Sequence, residues 1–129
     1  MNSQPSGNSG KLIYVVDDEP ILLELAIFIL EPLGYRLRTF RDPEVAFREF
    51  CSTDPPPQLL ITDYAMHQMN GLELVKKCKI ADPKVKTLLV SGTVGDEIYR
   101  GSPIQPDCFL AKPYHANQLS DIVQSLLEK

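Results

Sequence analysis

Three acids, a hydroxyl and an amine lie at the ends of four apolar runs of the sequence: Asp17 and Asp18 together after the first, then Asp63, Ser91 and Lys112. Carboxylates held within several ångströms repel one another by about 1 to 4 kcal/mol per pair, so such a cluster needs a cation. Oxygen ligands select a hard ion, and Mg²⁺ suits a site with few carboxylates and several retained waters. An ammonium and a hydroxyl opposite that ion leave room for a phosphoryl group, which one carboxylate can attack.

The elements that would position these side chains alternate along the chain. Apolar runs predict strands at Leu12–Val16, Tyr35–Phe40, Leu59–Thr62, Lys86–Ser91 and Asp107–Ala111. A helical pattern or a pair of helix-starting residues follows each of the first three strands, and the last helix carries Leu119, Ile122, Val123 and Leu126. Parallel strands need such crossover connections, and their carboxyl ends share one edge of the sheet. We therefore expect the five side chains to converge there.

The resulting fold class is α/β, with a five-stranded, doubly wound, flavodoxin-like parallel sheet built from five βα units. The fourth helix is expected to be short or irregular. Its segment, Thr93–Gln105, contains Gly95, Gly101 and Pro103, and these leave room for at most about two turns near Asp96–Arg100.

Length and composition bound the class of protein. A chain of 129 residues with 43% hydrophobic and 23% charged residues is long enough for one domain, which we expect over residues 11–129. The first ten residues are polar and lack the basic start and apolar centre of a secretory signal, so they are interpreted as a disordered leader. The chain ends with the last helix, so we expect either a stand-alone domain or one excised from a longer protein.

Charge and cysteine content exclude several function classes. Thirteen basic and 17 acidic residues give a formal charge of −4 without a basic stripe, which argues against nucleic acid as a partner. No apolar run reaches the roughly 18 residues of a membrane span. Three dispersed cysteines, Cys51, Cys78 and Cys108, argue against a disulfide framework and favour the cytoplasm. Each cysteine is interpreted as a small buried side chain.

In this order and on these elements, the motifs resemble a known family. Asp17-Asp18, Asp63 followed by Met66-His67-Gln68-Met69-Asn70-Gly71, Ser91 and Lys112-Pro113 are similar to the receiver domain of two-component response regulators, such as the bacterial chemotaxis response regulator. The resemblance covers Lys11–Lys129. It implies a phosphorylation-dependent switch rather than an enzyme acting on a separate substrate, one that promotes its own phosphotransfer and dephosphorylation.

The resemblance implies a role for each matching position. Asp63 is the expected phosphoacceptor, and Lys112 is expected to pair with the phosphoryl oxygens across from a bound Mg²⁺. The expected metal ligands are Asp18 and Asp63 directly, Asp17 through water, and the backbone carbonyl of Ala65. Ser91 and Phe109 correspond to the switch hydroxyl and the switch aromatic, and the Lys112-Pro113 bond to one that is usually cis. His67, where the family often has proline, is interpreted as an exposed turn residue.

The expected partners are proteins. A sensor histidine kinase or a histidine phosphotransfer protein would supply the phosphoryl group, and a downstream protein would bind the switched state. With Glu24 and Glu31 as the exposed stripe of the first helix, Ile27 and Phe28 lie on or beside it and are predicted to dock a partner, while Leu22, Leu25, Ala26 and Ile29 face the core. The irregular fourth helix predicts a monomer or weak dimer.

Three other classes compete with this interpretation. A haloacid-dehalogenase-like phosphatase also forms an aspartyl phosphate, but its D-x-D motif is missing from Asp63-Tyr64-Ala65. A dinucleotide enzyme needs a glycine-rich first turn, whereas Asp17-Asp18-Glu19-Pro20 would repel a pyrophosphate. A receiver-fold interaction module that does not use phosphorylation stays open, although a pure scaffold has no need for three adjacent acids.

Overall fold

The chain folds around one five-stranded parallel sheet. The computed structural model describes residues 10–128, so residues 1–9 of the predicted leader lie outside the described part of the chain. The strand order is β2-β1-β3-β4-β5, and the strands are β1 Leu12–Val16, β2 Arg36–Phe40, β3 Leu59–Asp63, β4 Lys86–Ser91 and β5 Cys108–Ala111. The predicted five-stranded, flavodoxin-like sheet is confirmed.

The central strands are apolar because helices cover both of their faces. Every residue of β1 and β3 is buried, as their continuous apolar runs predict. The outer strands, β2 and β5, are partly exposed. The two strands whose carboxyl ends carry the acids are therefore buried in the middle of the sheet.

Within residues 10–128, four α-helices and two 3₁₀ turns connect the strands: α1 Pro20–Leu30, α2 Pro43–Ser52, α3 Gly71–Ala81 and α4 Ala116–Leu127, with turns at Glu31–Leu33 and Asp96–Ile98. Asp42 begins α2 by accepting a hydrogen bond from the Glu44 amide, and Asn70 forms a capping box with Glu73 at α3. These caps satisfy amides that have no partner inside the helix.

Two apolar cores lie on opposite faces of the sheet. Residues of α1 and α4, such as Ala26 and Val123, pack against one face. Residues of α2 and α3, such as Phe50 and Val75, pack against the other. The sheet is thus doubly wound, and its carboxyl edge is left between the two helical layers.

The segment between β4 and β5 contains a single 3₁₀ turn, Asp96–Ile98. Gly101 follows with a φ of +85°, a left-handed conformation that glycine adopts without steric cost. The prediction of a short or irregular fourth helix is confirmed. The chain covers this side of the sheet with a loop rather than with a regular helix.

The prediction for the first helix is wrong at Leu25, which is 40% exposed rather than in the core. The buried residues of α1 are Leu23, Ala26 and Leu30. The exposed stripe consists of Ile21, Glu24, Leu25 and Phe28. Because α1 is apolar on nearly all sides, Glu24 within it and Glu31 just after it do not by themselves define the direction of the core.

The cysteine prediction is also wrong at one position, since Cys51 is exposed near the end of α2. Cys78 is buried and Cys108 is half-buried. Burial raises the pKa of the Cys78 thiol to about 12, so this thiol stays protonated and behaves as a core side chain. Among the described residues, no helix is long and apolar enough to cross a membrane.

A partly buried polar cluster joins α3 to the amino ends of β4 and β5. Asp107 Oδ2 lies 2.9 Å from Lys79 Nζ and accepts hydrogen bonds from the Thr87 amide, at 2.8 Å, and hydroxyl, at 3.1 Å. Burial alone raises the pKa of Asp107, but these partners outweigh it, so the pKa lies below its ordinary value. The charged carboxylate therefore stabilises the fold.

Replacing Asp107 with alanine is expected to lower the free energy of unfolding by about 1–3 kcal/mol, because the buried Thr87 and the partly buried Lys79 lose their acceptor. Since the pKa of Asp107 is lowered in the folded state, its contribution is present above the unfolded pKa of about 4 and disappears as the pH falls. Urea denaturation at pH 7 and pH 3 measures both effects. Asp96→Ala, which removes an exposed ion pair with Arg100, is the control and is expected to cost less than about 0.5 kcal/mol.

Candidate functional site

The five side chains predicted to do chemistry lie at the carboxyl edge of the sheet: Asp17 and Asp18 just after β1, Asp63 and Ser91 at the ends of β3 and β4, and Lys112 just after β5. Oxygen atoms of the three carboxylates lie within 4.8 Å of one another. They converge because β1 and β3 are neighbours in the sheet. The predicted acidic cluster is thus present in the fold.

Lys112 lies beside this cluster, at the carboxyl end of β5. Its Nζ lies 2.9 Å from Asp63 Oδ1 and 3.4 Å from Asp17 Oδ2. Burial lowers the pKa of Lys112, but the hydrogen bond to Asp63 and the charge of Asp17 outweigh it and raise that pKa. The lysine is therefore charged at neutral pH and offsets part of the negative charge.

Of the two acids that follow β1, Asp17 is the more deeply buried. Its Oδ1 accepts a hydrogen bond of 3.0 Å from the Glu19 amide, while its other oxygen faces Lys112. Burial is the largest influence on Asp17 and raises its pKa. Asp18 is less buried, with 25% of its side chain exposed, so the cluster opens toward solvent on the side of Asp18.

The donor set fits a hard divalent cation. Three carboxylates and one ammonium carry a net charge of −2 when all four groups are ionised, which a divalent ion neutralises. Carboxylate and carbonyl oxygens with access to water are the ligands that Mg²⁺ prefers. Ala65, whose carbonyl the sequence analysis added to this set, lies two residues beyond Asp63 on the loop before α3.

Ser91 is buried, and its hydroxyl is engaged by the loop that follows it. The Thr93 and Val94 amides each donate a hydrogen bond of 3.1 Å to Ser91 Oγ. Phe109 lies on β5, half-buried, with its ring centroid 6.4 Å from that of Tyr99. The predicted switch residues therefore lie on adjacent strands, with Ser91 at the site and Phe109 beside the irregular loop.

The Lys112-Pro113 peptide bond is cis, as the resemblance implies. The Lys112 amide donates a hydrogen bond of 2.8 Å to the Ser91 carbonyl. This bond ties the end of β5 to the end of β4 directly beside the cluster. The backbone that carries the lysine is thus held by its neighbouring strand.

Gly71, the last residue of the motif that follows Asp63, has a packing role at the site that was not predicted from the sequence. A Cβ atom at this position would lie inside van der Waals distance of the Asp63 carbonyl oxygen, and 2.9 Å from Leu89 Cδ1. The start of α3 therefore packs directly against the backbone of Asp63. The signal in the sequence is a glycine at the first position of a helix, because a helical backbone does not need the conformational freedom of glycine.

His67 is exposed, as predicted, but it also has a partner that the sequence analysis missed. Its Nδ1 lies 3.1 Å from Asp18 Oδ2. The two residues are far apart in sequence, and the loop between β3 and α3 brings the imidazole over the end of β1. The solvent-exposed side of the carboxylate cluster therefore includes an imidazole.

Comparison with known proteins identifies the family. The response regulator receiver domain family matches residues 13–124, and the chain belongs to that family. The chain is 34% identical over 123 residues to the nitrogen assimilation regulatory protein NtrX of Azorhizobium caulinodans, covering 90% of this chain and 26% of NtrX. It is 26% identical over 118 residues to the response regulator receiver protein CpdR of Brucella abortus, covering 91% and 97%.

A solved structure agrees with the sequence relatives. The response regulator protein TrrA of Thermotoga maritima, in complex with Mg(2+)-BeF, has a TM-score of 0.78 and 29% identity, covering 91% of this chain and 99% of that one. The chain spans 26% of the length of NtrX but 97% of CpdR. Membership of this family makes the chain a receiver domain, the phosphoacceptor signalling domain of two-component systems.

Proposed function

We propose that this receiver domain is a phosphorylation-dependent switch whose phosphoacceptor is Asp63. The observation that carries the proposal is the ion pair of 2.9 Å between Lys112 and Asp63, beside the carboxylates of Asp17 and Asp18. A carboxylate held next to an ammonium and a divalent-cation site suits attack on a phosphoryl group, whose charge those cations offset.

The phosphoryl group comes from a phosphohistidine of a sensor histidine kinase or a histidine phosphotransfer protein. A carboxylate oxygen of Asp63 attacks phosphorus, the bond from phosphorus to the donor imidazole nitrogen breaks, and an acyl phosphate forms. Asp18, Asp63 and the Ala65 carbonyl would hold Mg²⁺ directly, and Asp17 would hold it through water. Bound there, Mg²⁺ supplies positive charge to the equatorial phosphoryl oxygens. The ammonium of Lys112 moves from Asp63 to one of these oxygens.

The switch residues respond to the new charge. The Ser91 hydroxyl, which now accepts two hydrogen bonds from the loop, turns toward the phosphoryl oxygens. Phe109 then moves inward from its contact with Tyr99. Phosphorylation would thus shift the population between two packings of the β4 to β5 side, and a downstream protein would bind one of them.

The experiment that tests the proposal is an intact mass measurement after incubation with acetyl phosphate and Mg²⁺. The expected result is one added phosphoryl group, located at Asp63 by peptide mapping, and none when a chelator removes the metal. No addition, together with no Mg²⁺ binding by NMR, would favour the interaction module that does not use phosphorylation.

The partner that supplies the phosphoryl group docks on α1. Phe28 is 79% exposed and lies on the same stripe as Leu25, whereas Ile27 is half-buried beside it. Leu25 also lines a groove of about 420 Å³ that reaches Lys112 and Tyr114. An apolar surface next to the phosphoacceptor supports docking of a donor protein whose histidine must reach Asp63.

Replacing Phe28 with aspartate is expected to reduce the rate of phosphotransfer from the donor protein at least about tenfold, because a buried aromatic anchor contributes 2 kcal/mol or more to an interface. Uptake from acetyl phosphate, which needs no docking, is expected to stay unchanged. Ile80→Asp on α3 is the matched control, since Ile80 is 70% exposed and α3 packs on the opposite face of the sheet from α1. Equal transfer rates for the Phe28 variant and wild type would contradict docking on α1.

The output of the switch depends on the loop between β4 and β5. Because this segment contains one 3₁₀ turn instead of a helix, it offers no regular helical face for a phosphorylation-driven dimer. We therefore infer that the domain acts as a monomer or weak dimer and signals by binding a downstream protein.

A further inference from the structure

A groove of about 420 Å³ lies at the amino edge of the sheet, at the end of the domain opposite the carboxylate cluster. Its lining includes Lys11, which directly precedes β1, and Lys86, the first residue of β4. The apolar part of the lining comes from the prolines of residues 56–57 and the leucines of residues 126–127 at the end of α4. The groove therefore shares no residue with the proposed phosphorylation site.

The concave surface extends beyond this groove on both sides of Pro56. A second groove of about 390 Å³ includes Cys51 and Ala81, and a third of about 380 Å³ includes Arg36. Pro56 lines all three grooves. A concave surface of this extent suits a peptide segment better than a single small anion.

The charge of the first groove is opposite to that of the chain. Its lining contains three lysines, Lys11, Lys84 and Lys86, and one acid, Asp82, whereas the whole chain has a formal charge of −4. Asp82 Oδ1 accepts a hydrogen bond of 3.1 Å from the Lys84 amide. The ion pairs formed within residues 10–128 use other cations. Within that part of the chain, the ammonium groups of Lys84 and Lys86 therefore have no carboxylate partner.

The backbone that lines the groove is held in place before any partner binds. The Gln58 amide donates a hydrogen bond of 2.9 Å to the Leu12 carbonyl, and the Lys86 amide donates one of 3.1 Å to the Gln58 carbonyl. The proline ring fixes φ at each position of the run at residues 55–57. A surface that is already ordered loses little conformational entropy when it binds a partner.

The apolar lining distinguishes between two kinds of anionic partner. A single-stranded nucleic acid binds through aromatic rings on which its bases stack, and none of the described residues that line the groove is aromatic. An acidic protein segment supplies carboxylates to the unpaired ammonium groups and apolar side chains to the prolines and leucines. We propose that this groove binds an acidic segment of a partner protein, with apolar side chains between its carboxylates.

This interaction goes beyond the proposed phosphorylation switch. Because the groove is at the opposite edge of the sheet from Asp63, binding there needs neither Mg²⁺ nor a phosphoryl group. A partner held in the groove stays attached in both states of the switch, whereas the downstream protein binds only one of them.

The test is an NMR titration of the full chain, without Mg²⁺ or phosphoryl donor, with a short synthetic peptide in which glutamates flank two leucines. A second peptide carries glutamine in place of every glutamate, and a short oligothymidylate represents nucleic acid. Lys84→Glu reverses one charge in the groove. Lys77→Glu is the matched control, because Lys77 is also an exposed lysine but lies outside the groove, with its ammonium 5.2 Å from the centre of the Phe47 ring.

We expect saturable shifts of the Gln58 and Lys86 amide signals with the glutamate peptide. Its affinity is expected to fall at least about fivefold in Lys84→Glu and less than about twofold in Lys77→Glu, and the glutamine peptide is expected to bind at least about fivefold more weakly. Absence of saturable shifts, or equal affinities of Lys84→Glu and the wild type, would overturn the proposal. Tighter binding of the oligothymidylate would overturn it in favour of nucleic acid. None of these outcomes depends on phosphoryl uptake, so the proposed function is tested separately.

Discussion

Replacing Asp63 with asparagine is expected to abolish phosphoryl uptake from acetyl phosphate, and from the donor protein as well. The amide has no anionic oxygen to attack phosphorus, although it matches the carboxylate in size. The other acids of the cluster are expected to hold Mg²⁺ rather than to attack phosphorus, because Asp63 makes the shorter contact with Lys112, 2.9 Å against 3.4 Å for Asp17. Intact mass after incubation with acetyl phosphate and Mg²⁺ measures the effect.

A matched control separates loss of the nucleophile from loss of a charge. Asp121→Asn, on the exposed side of α4, changes the net charge by the same amount and is expected to take up one phosphoryl group like the wild type. Circular dichroism is expected to show that Asp63→Asn is folded, since its side chain is at the edge of the sheet. Uptake by Asp63→Asn at the wild-type level would show that Asp63 is not the phosphoacceptor.

The sheet could be predicted from the sequence because its strands obey a simple physical rule. A strand covered on both faces needs apolar residues throughout, and runs such as Leu12–Val16 and Leu59–Thr62 meet that need. The helix patterns between them then require parallel pairing. The carboxyl ends follow from the pairing, so the convergence of Asp17, Asp63 and Lys112 could be predicted although each is distant in sequence.

Exposure on α1 could not be predicted in the same way. An apolar helix such as α1 has no polar face to show which side is buried, and packing against the sheet placed Leu25 outward and Leu23 inward. Cys51 is exposed because it lies on the solvent-facing side of α2, three and seven residues after Arg48 and Glu44, which are exposed too. Its exposure follows from the helical period of α2, whereas that of Leu25 depends on how α1 packs against the sheet.

Two contacts of the site depend on the path of the loop between β3 and α3. The approach of His67 to Asp18 joins two loops that no sequence period relates, since one follows β1 and the other follows β3. The contact of Gly71 with the Asp63 carbonyl depends on where α3 begins above β3. Sequence patterns define elements, but the distances between loop residues come from tertiary packing.

Replacing Gly71 with alanine is expected to destabilise the fold and to impair phosphoryl uptake together. The added Cβ would lie 2.8 Å from the Asp63 carbonyl carbon and 2.9 Å from Leu89 Cδ1. Overpacking of this kind costs about 1–3 kcal/mol, and occasionally more. The higher helix propensity of alanine returns at most about 1 kcal/mol. Since the clash includes backbone atoms, α3 must move away from the sheet or Asp63 must shift from Lys112.

Urea denaturation and the rate of phosphoryl uptake from acetyl phosphate measure the two effects of Gly71→Ala. We expect a lower free energy of unfolding, by about 2 kcal/mol, and slower uptake in the fraction that stays folded. Gly92→Ala is the matched control, because its Cβ would make an ordinary contact of 3.4 Å with Lys112 Cβ. If both variants had wild-type stability, α3 would adjust freely above β3, and Gly71 would not be needed to hold the phosphoacceptor strand.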